Sequence, residues 1–407
     1  MFGKLNEVKV LRDPIHEYIH IEYQVIWDCL NSPEFQRLRR IHQLGATHQV
    51  YHAAEHSRFS HSLGVYEIVR RMVNEVEGLK DALSEEEQIE VMLAGMLHDI
   101  GHGPFSHSFE SVLEFNHEKM GALILLGEST IHNVLVSHHP DLPKHLVDIL
   151  QHKHSNPILN QVVSGQLDAD RMDYLLRDAY FTGTSYGTFD LERVLRTLRL
   201  HDDKLVVKES GVHTIEDYIM ARYHMYWQVY YHPVSRSFET ILVRFFKRLV
   251  VLNAVDPGIS KRFAMFGPFF HEGYPTLKEH FELDEAACLY AFTLARQESD
   301  AILKDLGTRL MDRRLFEYAE VESPQQVEAQ RQNVIDAGLD PEYYFALDTA
   351  IQRPYSPYQE KENSLIWILN TKNEIKELSQ ASVLVAAIVR GENKKDEKMY
   401  FPRETAN

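Results

Sequence analysis

Apolar positions along the first 250 residues recur with the spacing of amphipathic helices. In "RFSHSLGVYEIVRRM", His61 shares one helical face with Val65 and Ile68. Ser84 and Glu87 have the spacing of a capping box. The apolar residues that follow it recur at i, i+3, i+4, i+7 and i+8: Ile89, Met92, Leu93, Met96 and Leu97. From residue 14 to about 250 the pattern therefore predicts helix after helix, an all-α core with short breaks at "NSPEF", "GATHQ", "GHGP" and "TGTSYG".

Three segments depart from this helical pattern. From residue 201, "HDDKLVVKES" places an apolar centre between polar flanks and predicts a minor hairpin. Pro and Gly become dense between 254 and 276, after which helical patterns run to about 338. "LIWIL" at 365–369 and "VLVAAIV" at 383–389 fit either two strands or a strand and a helix. We therefore expect an all-α core in residues 1–255 and a small α+β region with further helices in 256–407.

Composition and charge restrict the class of protein. The chain has 407 residues, of which 44% are apolar, enough for a sizeable core, and a formal charge of −17. Such a charge repels polyanions, so we do not expect nucleic acid as the main partner. Two cysteines, Cys29 and Cys288, exclude a disulfide framework and a Cys-rich zinc site. The N-terminus lacks a signal-peptide pattern and no apolar run approaches the length of a membrane helix, which predicts a cytoplasmic protein without a membrane partner.

Three predicted helices carry side chains that suit a metal ion. His61 points inward on the first, His98 and Asp99 are adjacent at the end of the second, and "LDADRMDYLLRD" adds Asp170 on a third. One inward histidine alone is more often a hydrogen-bonded core residue. Imidazole and carboxylate groups together are typical of one divalent ion such as Mg, Mn, Fe or Zn. With open positions, such an ion can activate water and polarise a phosphoryl oxygen.

Two further helical faces combine polar and aromatic side chains. Asp170, Tyr174 and Asp178 recur at i, i+4 and i+8 beside an apolar stripe, which fits either a solvated acidic face or the wall of a cleft. In "ARYHMYWQVYYHPV", Arg222 and Tyr230 share one face, a spacing that is more often core packing. The spacing alone leaves both interpretations open.

Five strings along the chain resemble a known family. "DPIH", "FQRLRRIHQLG", "RFSHSLGV", "HDIGHGPFSH" and "DADRMDYLLRD" resemble the deoxynucleoside triphosphate triphosphohydrolase (dNTPase) branch of the HD-domain phosphohydrolases, which includes the vertebrate sterile-alpha-motif HD enzyme and shorter bacterial relatives. The resemblance runs from about residue 9 to 240. It implies the HD-domain helical fold and a metal held by His61, His98, Asp99 and Asp170. It also implies attack of an activated water on the α-phosphorus of a dNTP, with release of deoxynucleoside and triphosphate.

The resemblance assigns roles to residues around the metal. Three histidines, His102, His107 and His117, match catalytic positions, with His107 as general acid and the other two in support. Arginines contact phosphate, Tyr174 and Tyr230 flank the sugar, Gln43 and Asp178 bind the 3′-hydroxyl, and Leu44 excludes a 2′-hydroxyl. The whole implied substrate set is Gln43, Leu44, Arg58, Arg171, Tyr174, Asp178, Arg222 and Tyr230. Without the resemblance, loop histidines and surface ion pairs would explain many of these residues.

The resemblance further implies nucleotide regulation in a homotetramer. We expect the N-terminal segment to be regulatory and residues 256–407 to contribute to oligomerisation and regulation. The implied activator residues are Lys9, Val10, Asn31, Gln36, Arg39, Val50, Tyr51, His232 and Arg313. Asn31 replaces an acid that reads guanine in guanine-regulated relatives, and Pro233 replaces a phosphate-bridging lysine. The base of the activator therefore stays open among dGTP, GTP and another dNTP. Further Mg ions would accompany the bound nucleotides. Capping within the "SPEFQRLRR" helix would equally explain Gln36 and Arg39.

Two other functions remain open at this point. The first is a different HD phosphohydrolase, such as a nucleoside monophosphatase or a cyclic-nucleotide or (p)ppGpp hydrolase; Gln43, Leu44 and Tyr230 argue against it. The second is a nucleotide-sensing binding protein without turnover. A complete ligand set and three accompanying histidines argue against that alternative.

Overall fold

The fold is dominated by helices, in agreement with the predicted all-α core. The computed structural model describes residues 2–106, 108–110, 116–270, 274–352, 355, 365–391 and 394–406. Its helices are α1 (Gln24–Leu30), α2 (Pro33–Arg37), α3 (Arg58–Glu75), α4 (Leu79–Ala82), α5 (Glu85–Leu97), α6 (His117–Leu126), α7 (Thr130–His138), α8 (Leu142–Leu150), α9 (Pro157–Ser164), α10 (Ala169–Thr182), α11 (Leu191–Thr197), α12 (Val212–Met225), α13 (Pro233–Val255), α14 (Ile259–Arg262), α15 (Leu277–Glu282), α16 (Glu285–Ala295), α17 (Ala301–Met311), α18 (Pro324–Asp336), α19 (Pro341–Tyr344), α20 (Leu378–Ala381) and α21 (Val383–Arg390). Among the described helices, no single one is long and apolar enough to cross a membrane. Only α6 and α7 taken together have that length and composition, and they are bent by 55° relative to each other.

Short strands form three separate sheets. The strands are β1 (Lys4–Asp13), β2 (Glu17–Tyr23), β3 (Leu198–His201), β4 (Lys204–Lys208), β5 (Glu317–Glu320), β6 (Ala346–Gln352), β7 (Trp367–Leu369), β8 (Ile375–Glu377) and β9 (Lys394–Phe401). The first sheet is the β1–β2 pair, the second has the order β3-β4-β7-β8, and the third has the order β5-β9-β6. The predicted α+β character of the C-terminal region is therefore confirmed.

The N-terminal hairpin replaces the start of the predicted helical run. In β2, Ile19 and Ile21 are buried while Tyr18 is 44% exposed, which is the two-residue period of a strand. The turn that joins β1 to β2 is fixed by Asp13, whose Oδ1 accepts hydrogen bonds from the backbone N–H groups of Ile15, at 2.9 Å, and His16, at 3.1 Å. The prediction that helices begin at residue 14 was wrong, because this period-2 segment pairs with β1.

Helix α5 begins and ends near the predicted residues. Ser84 Oγ accepts from the Glu87 N–H at 3.2 Å, and Glu87 Oε2 accepts from the Ser84 N–H at 2.8 Å, so the capping box is present. Gly101, in the break "GHGP" after α5, does not have the positive φ of a left-handed helix cap. A Cβ at Gly101 would lie 2.1 Å from the carbonyl oxygen of His117, so the glycine permits close approach of α6 to the loop after α5.

The second sheet settles two predictions about strands. The hairpin predicted from residue 201 is β3–β4, and its turn residues Asp202 and Asp203 have φ of 46° and 57°. "LIWIL" contributes β7, which pairs in parallel with β4, whereas "VLVAAIV" forms α21. Of the two alternatives, a strand and a helix is therefore the correct one.

The described residues form two hydrophobic cores, and the longest helix, α13, belongs to the second. The first core is built by α3, α5 and their neighbours, and it also receives Ile368 and Val385 from the C-terminal part of the chain. The second core contains Phe238 and Phe245 of α13 together with Phe292 and residues of the third sheet. One side of α13 packs in the second core, and another side of the helix lines the cleft that is described below. A division of the chain at residue 255 remains a prediction.

Candidate metal centre and active-site cleft

The four predicted metal ligands converge from three elements of the first core. Helix α3 supplies His61, the end of α5 supplies His98 and Asp99, and the first turn of α10 supplies Asp170. His61 Nε2 lies 3.0 Å from Asp170 Oδ1 and 3.8 Å from Asp99 Oδ2. His98 Nε2 lies 3.3 Å from Asp99 Oδ1 and 3.5 Å from Asp170 Oδ1. Ligand atoms of His61, His98 and Asp99 all lie within 4.8 Å of one another.

The donor set fits a divalent cation. His98 Nδ1 lies 2.9 Å from the carbonyl oxygen of Gly95, which accepts its proton, so Nε2 of the neutral ring carries a lone pair. That Nε2 atom is buried and has no hydrogen-bond partner among the described residues. It faces the carboxylates of Asp99 and Asp170, which also present lone pairs. A cation between them would satisfy all three acceptors at once.

Both carboxylates of the centre are held in the ionised state. Burial acts to raise the pKa of Asp99, but the guanidinium of Arg58 and the His98 imidazole outweigh it and hold that pKa well below its usual range. Burial acts to raise the pKa of Asp170 as well, but the hydrogen bond with His61 and the nearby His98 imidazole outweigh it and lower that pKa. Burial lowers the pKa of His61, yet bonds to Asp170 and Asp173 raise it to about 10. A cation bound here would therefore displace a proton from His61.

A buried ionic network behind the centre orients His61. Asp173 accepts hydrogen bonds from His61 Nδ1 at 2.8 Å, His16 Nε2 at 2.6 Å, and Arg177 Nε and Nη2 at 2.8 and 2.9 Å. Arg177 also donates to both carboxylate oxygens of Asp13, at 2.9 and 3.2 Å. Because Asp173 binds Nδ1, a cation that displaces the proton of His61 would meet the lone pair of Nε2 at the centre. The sequence interpretation assigned no role to these four supporting residues, although "DPIH" and "DRMDYLLRD" contain them.

Gly64 makes room for this network on α3. A Cβ at this position would lie 1.9 Å from Asp173 Oδ1 and 2.4 Å from Arg177 Nη2. Both groups are fully buried, so neither can move aside without breaking ion pairs. The glycine one turn after His61 is therefore required by the close approach of α3 to α10.

A cleft of about 780 Å³ extends from the metal centre. Eight of the predicted catalytic and substrate-binding residues line it: Gln43, Leu44, Arg58, His102, His117, Tyr174, Asp178 and Tyr230. Asp99 and Asp170 form its metal end. Gln43 Oε1 is buried and has no partner among the described residues, so it offers an unpaired acceptor. The volume and the mixture of polar and aromatic groups are typical of a small-molecule site.

Polar groups beyond the metal end are fixed by hydrogen bonds. Tyr230 Oη donates to Asp178 Oδ2 at 2.8 Å, and His56 Nε2 lies 2.8 Å from Asp178 Oδ1. The ring of His56 stacks on Phe181 with 4.6 Å between centroids. Residues Tyr226–Tyr230 form a single π-helical turn after α12, a feature frequent at functional sites. No sequence pattern points to His56, which lies far from Asp178 along the chain.

Two predicted catalytic histidines form a stacked pair next to the metal end. The rings of His102 and His117 lie 3.8 Å apart with an interplanar angle of 14°. His117 Nδ1 lies 2.6 Å from Glu110 Oε1, and His102 Nε2 lies 3.3 Å from Asp99 Oδ1. Burial and the charge of Arg58 hold the pKa of His102 well below its usual range, so His102 is neutral at pH 7. Ligand atoms of His102, Glu110 and His117 also lie within 4.8 Å of one another.

The third predicted histidine, His107, lies outside the described residues. The preceding Ser106 accepts a hydrogen bond from Arg58 Nη2 at 2.7 Å, while Arg58 Nη1 donates to Asp99 Oδ2. Arg37 is fully buried and donates to the carbonyl oxygen of His102 at 2.8 Å. The two arginines thus attach the loop after α5 to the metal end of the cleft.

Two of the predicted phosphate contacts are turned to other partners. Arg171 Nη1 donates to Asp168 Oδ2 and to the carbonyl oxygen of Gly165. Arg222 Nη1 donates to Gln166 Oε1 at 3.2 Å. Of the three arginines predicted to contact phosphate, Arg58 alone lines the cleft as described.

The implied activator residues near the N-terminus lie at the surface or bond locally. On β1, Val10 is exposed and Lys9 is partly exposed. Asn31 Nδ2 donates to the carbonyl oxygen of Trp27 at 2.7 Å. Gln36 Oε1 accepts from Arg39 Nε at 2.8 Å, and the Arg39 guanidinium lies 3.6 Å from the ring centroid of Phe59. The local bonds of Gln36 and Arg39 match the capping and pairing alternative.

The remaining activator residues form a second group. Tyr51 and His232 pack edge to face with centroids 6.0 Å apart, and Val50 precedes Tyr51 directly. Arg313 donates to the carbonyl oxygen of Gln49 at 2.8 and 3.1 Å. Arg313 therefore makes its contact next to residues 50 and 51.

Comparisons with known proteins agree with this geometry. The HD domain model matches residues 58–178 and the HD associated region matches 189–263. An uncharacterized protein of Bacillus subtilis is 45% identical over 99% of this chain and 94% of its own length. The deoxynucleoside triphosphate triphosphohydrolase SAMHD1 of Homo sapiens is 24% identical over 81% of this chain and 58% of its own. The crystal structure of a phosphohydrolase from Bacteroides thetaiotaomicron superposes with a TM-score of 0.85 at 27% identity, covering 98% of this chain and 100% of that one.

Proposed function

Because the chain belongs to the HD-domain dNTPase family, we propose that it hydrolyses dNTPs at the α-phosphorus to a deoxynucleoside and inorganic triphosphate. The observation that carries the proposal is the convergence of His61, His98, Asp99 and Asp170 at one end of a cleft that also contains Gln43. The four candidate metal ligands support hydrolysis as the type of reaction. The polar groups beyond them account for a nucleotide as substrate.

The residues of the centre divide the work of the reaction. His61, His98, Asp99 and Asp170 would hold a divalent ion, which would supply a Lewis acid for a phosphoryl oxygen. Arg58, beside Asp99, adds positive charge where a phosphate would lie and stabilises charge that develops in the transition state. His117, oriented by Glu110 through Nδ1, and the neutral His102 stacked on it support protonation of the leaving 5′-oxygen. In this account His107 remains the general acid by family resemblance.

The sugar is recognised at the Tyr230 end of the cleft. Asp178, held by Tyr230 and His56, and the unpaired Gln43 Oε1 bind the 3′-hydroxyl. Leu44 lines the same wall and excludes a 2′-hydroxyl by contact. A buried polar group left without a partner costs about 1–3 kcal/mol, which supports selection for a ligand with a matching hydroxyl.

Regulation belongs to the same proposal. A homotetramer in the cytoplasm would bind an activating nucleotide between subunits, with Lys9, Val10, Asn31, Gln36 and Arg39 in one group. The second group is Val50, Tyr51, His232 and Arg313. Arg171 and Arg222 would turn into the cleft when phosphate binds, because their present partners are a neighbouring acid and uncharged oxygens.

Product identification tests the proposal. Each dNTP, the matching NTPs and dNMPs are offered with Mg or Mn, singly and with a second nucleotide, and products are separated and weighed by mass spectrometry. Deoxynucleoside plus intact triphosphate, lost in Asp99→Ala, is the expected result. Orthophosphate, pyrophosphate or turnover of monophosphates alone would instead identify another HD phosphohydrolase. Binding without turnover under every mixture would identify a nucleotide sensor.

A further inference from the structure

One face of α13 forms a wall of the cleft. Arg236, Thr240, Val243 and Lys247 recur at i, i+4, i+7 and i+11, so they form one stripe along the helix, and Arg244 stands beside it. From Arg236 to Lys247 the helix rises by about 16 Å. Three cations in one wall stand out in a chain with a formal charge of −17.

One of these cations is already neutralised by neighbouring carboxylates. Arg236 donates from Nε and Nη2 to Asp348 at 2.8 and 2.5 Å, and from Nη1 to Glu239 at 2.8 Å. This bidentate pair fixes the helix against β6. Arg236 therefore holds the wall in place and offers little charge to a ligand.

The other two cations have no such partner. Arg244 is half-buried and its guanidinium donates to the carbonyl oxygen of Phe345 at 3.1 Å, with no carboxylate of the described residues within 4.0 Å. Burial lowers the pKa of Arg244, and Glu342 offsets this only from a distance. Lys247 is exposed, and within the described part of the chain it makes no ion pair. A partly desolvated guanidinium without a counter-charge favours binding of an anion.

We propose that Arg244 and Lys247 form a second anion subsite that binds a triphosphate group. The two residues are three positions apart on a helix, so their side chains are neighbours and both face one multiply charged ligand. The subsite opens into the same cleft as the metal centre. The proposal rests on the proposed function for its ligand, which is either the phosphate chain of a bound nucleotide or released inorganic triphosphate.

Calorimetric titration with inorganic triphosphate tests the subsite without turnover. We expect Arg244→Gln/Lys247→Gln to weaken binding by about tenfold or more relative to the wild-type protein. The control Lys304→Gln/Arg390→Gln removes the same charge from exposed positions outside the cleft lining, and it should keep the affinity within about twofold. Equal affinity of the wild-type protein and the first variant would overturn the proposal. Lys247→Gln alone repeats the test at an exposed position where the fold is not at risk.

Steady-state kinetics distinguish the two sources of the triphosphate group. If the subsite holds the phosphate chain of the substrate, the double variant raises KM for dNTPs with kcat nearly unchanged. If it holds the released product, the inhibition constant of triphosphate rises while KM stays constant. A protein that hydrolyses no dNTP but loses triphosphate affinity in the variant would contradict the proposed function and still support the subsite.

Discussion

Asp173→Asn separates the orientation of His61 from the direct ligands of the metal. The carboxylate accepts four hydrogen bonds inside the protein, from His61, His16 and two nitrogens of Arg177. Breaking one partner of a buried ion pair costs about 3–5 kcal/mol. Because Asp13 keeps both of its bonds to Arg177, we expect a loss near about 3 kcal/mol in the free energy of unfolding. An amide also binds His61 Nδ1 less strongly, and such supporting partners typically contribute about 10–100-fold in metal affinity.

The assay is titration of Mn into chelator-treated protein, with thermal unfolding of the same samples. The matched control is Glu67→Gln on α3, the helix that carries His61. Glu67 is buried and accepts hydrogen bonds from Arg70 at 2.9 and 2.6 Å, without contacting a candidate metal ligand. We expect both variants to unfold earlier and only Asp173→Asn to lose metal affinity. A Mn affinity within about twofold of the wild-type value in Asp173→Asn would refute the reasoning that Asp173 positions His61.

Three smaller perturbations test other parts of the account. Gly64→Ala should lower the melting temperature and the Mn affinity, since its Cβ would clash with the buried carboxylate of Asp173. The control Gly267→Ala should change neither, because no atom lies within 4 Å of that Cβ. Equal melting temperatures of the two variants would contradict this. Tyr230→Phe should lower kcat/KM for dNTPs by about tenfold, because Asp178 loses a donor, and an unchanged value would show that this contact is not used. Ser84→Ala should cost about 1 kcal/mol in chemical unfolding with kcat unchanged, and a change in kcat would mean that the cap acts beyond stability.

Local sequence patterns point to three of the candidate metal ligands. His61 lies on the buried face of α3, and the apolar stripe of α5 leads directly to His98 and Asp99. That these residues meet at one site depends on how three helices pack, and only the family resemblance predicted it. The role of Asp173 could not be predicted locally, because its value comes from His16 and His61, distant in sequence.

Other features were missed for physical reasons that can be named. The β1–β2 hairpin carries a two-residue alternation at Ile19 and Ile21, but the segment is short and was absorbed into a longer helical interpretation. Gly101 is required by tertiary contact with α6, which its place in the break "GHGP" does not reveal. The isolated charge of Arg244 depends on which carboxylates lie nearby in three dimensions, and no sequence spacing encodes that.

The central claim is α-phosphorus attack by water at the metal centre, and hydrolysis of a dNTP in ¹⁸O-labelled water tests it most directly. Mass spectrometry of both products locates the new oxygen. The account predicts one ¹⁸O atom in inorganic triphosphate, none in the deoxynucleoside, and no reaction in Asp170→Ala. Label in the deoxynucleoside, or in a nucleotide released together with phosphate or pyrophosphate, would contradict it.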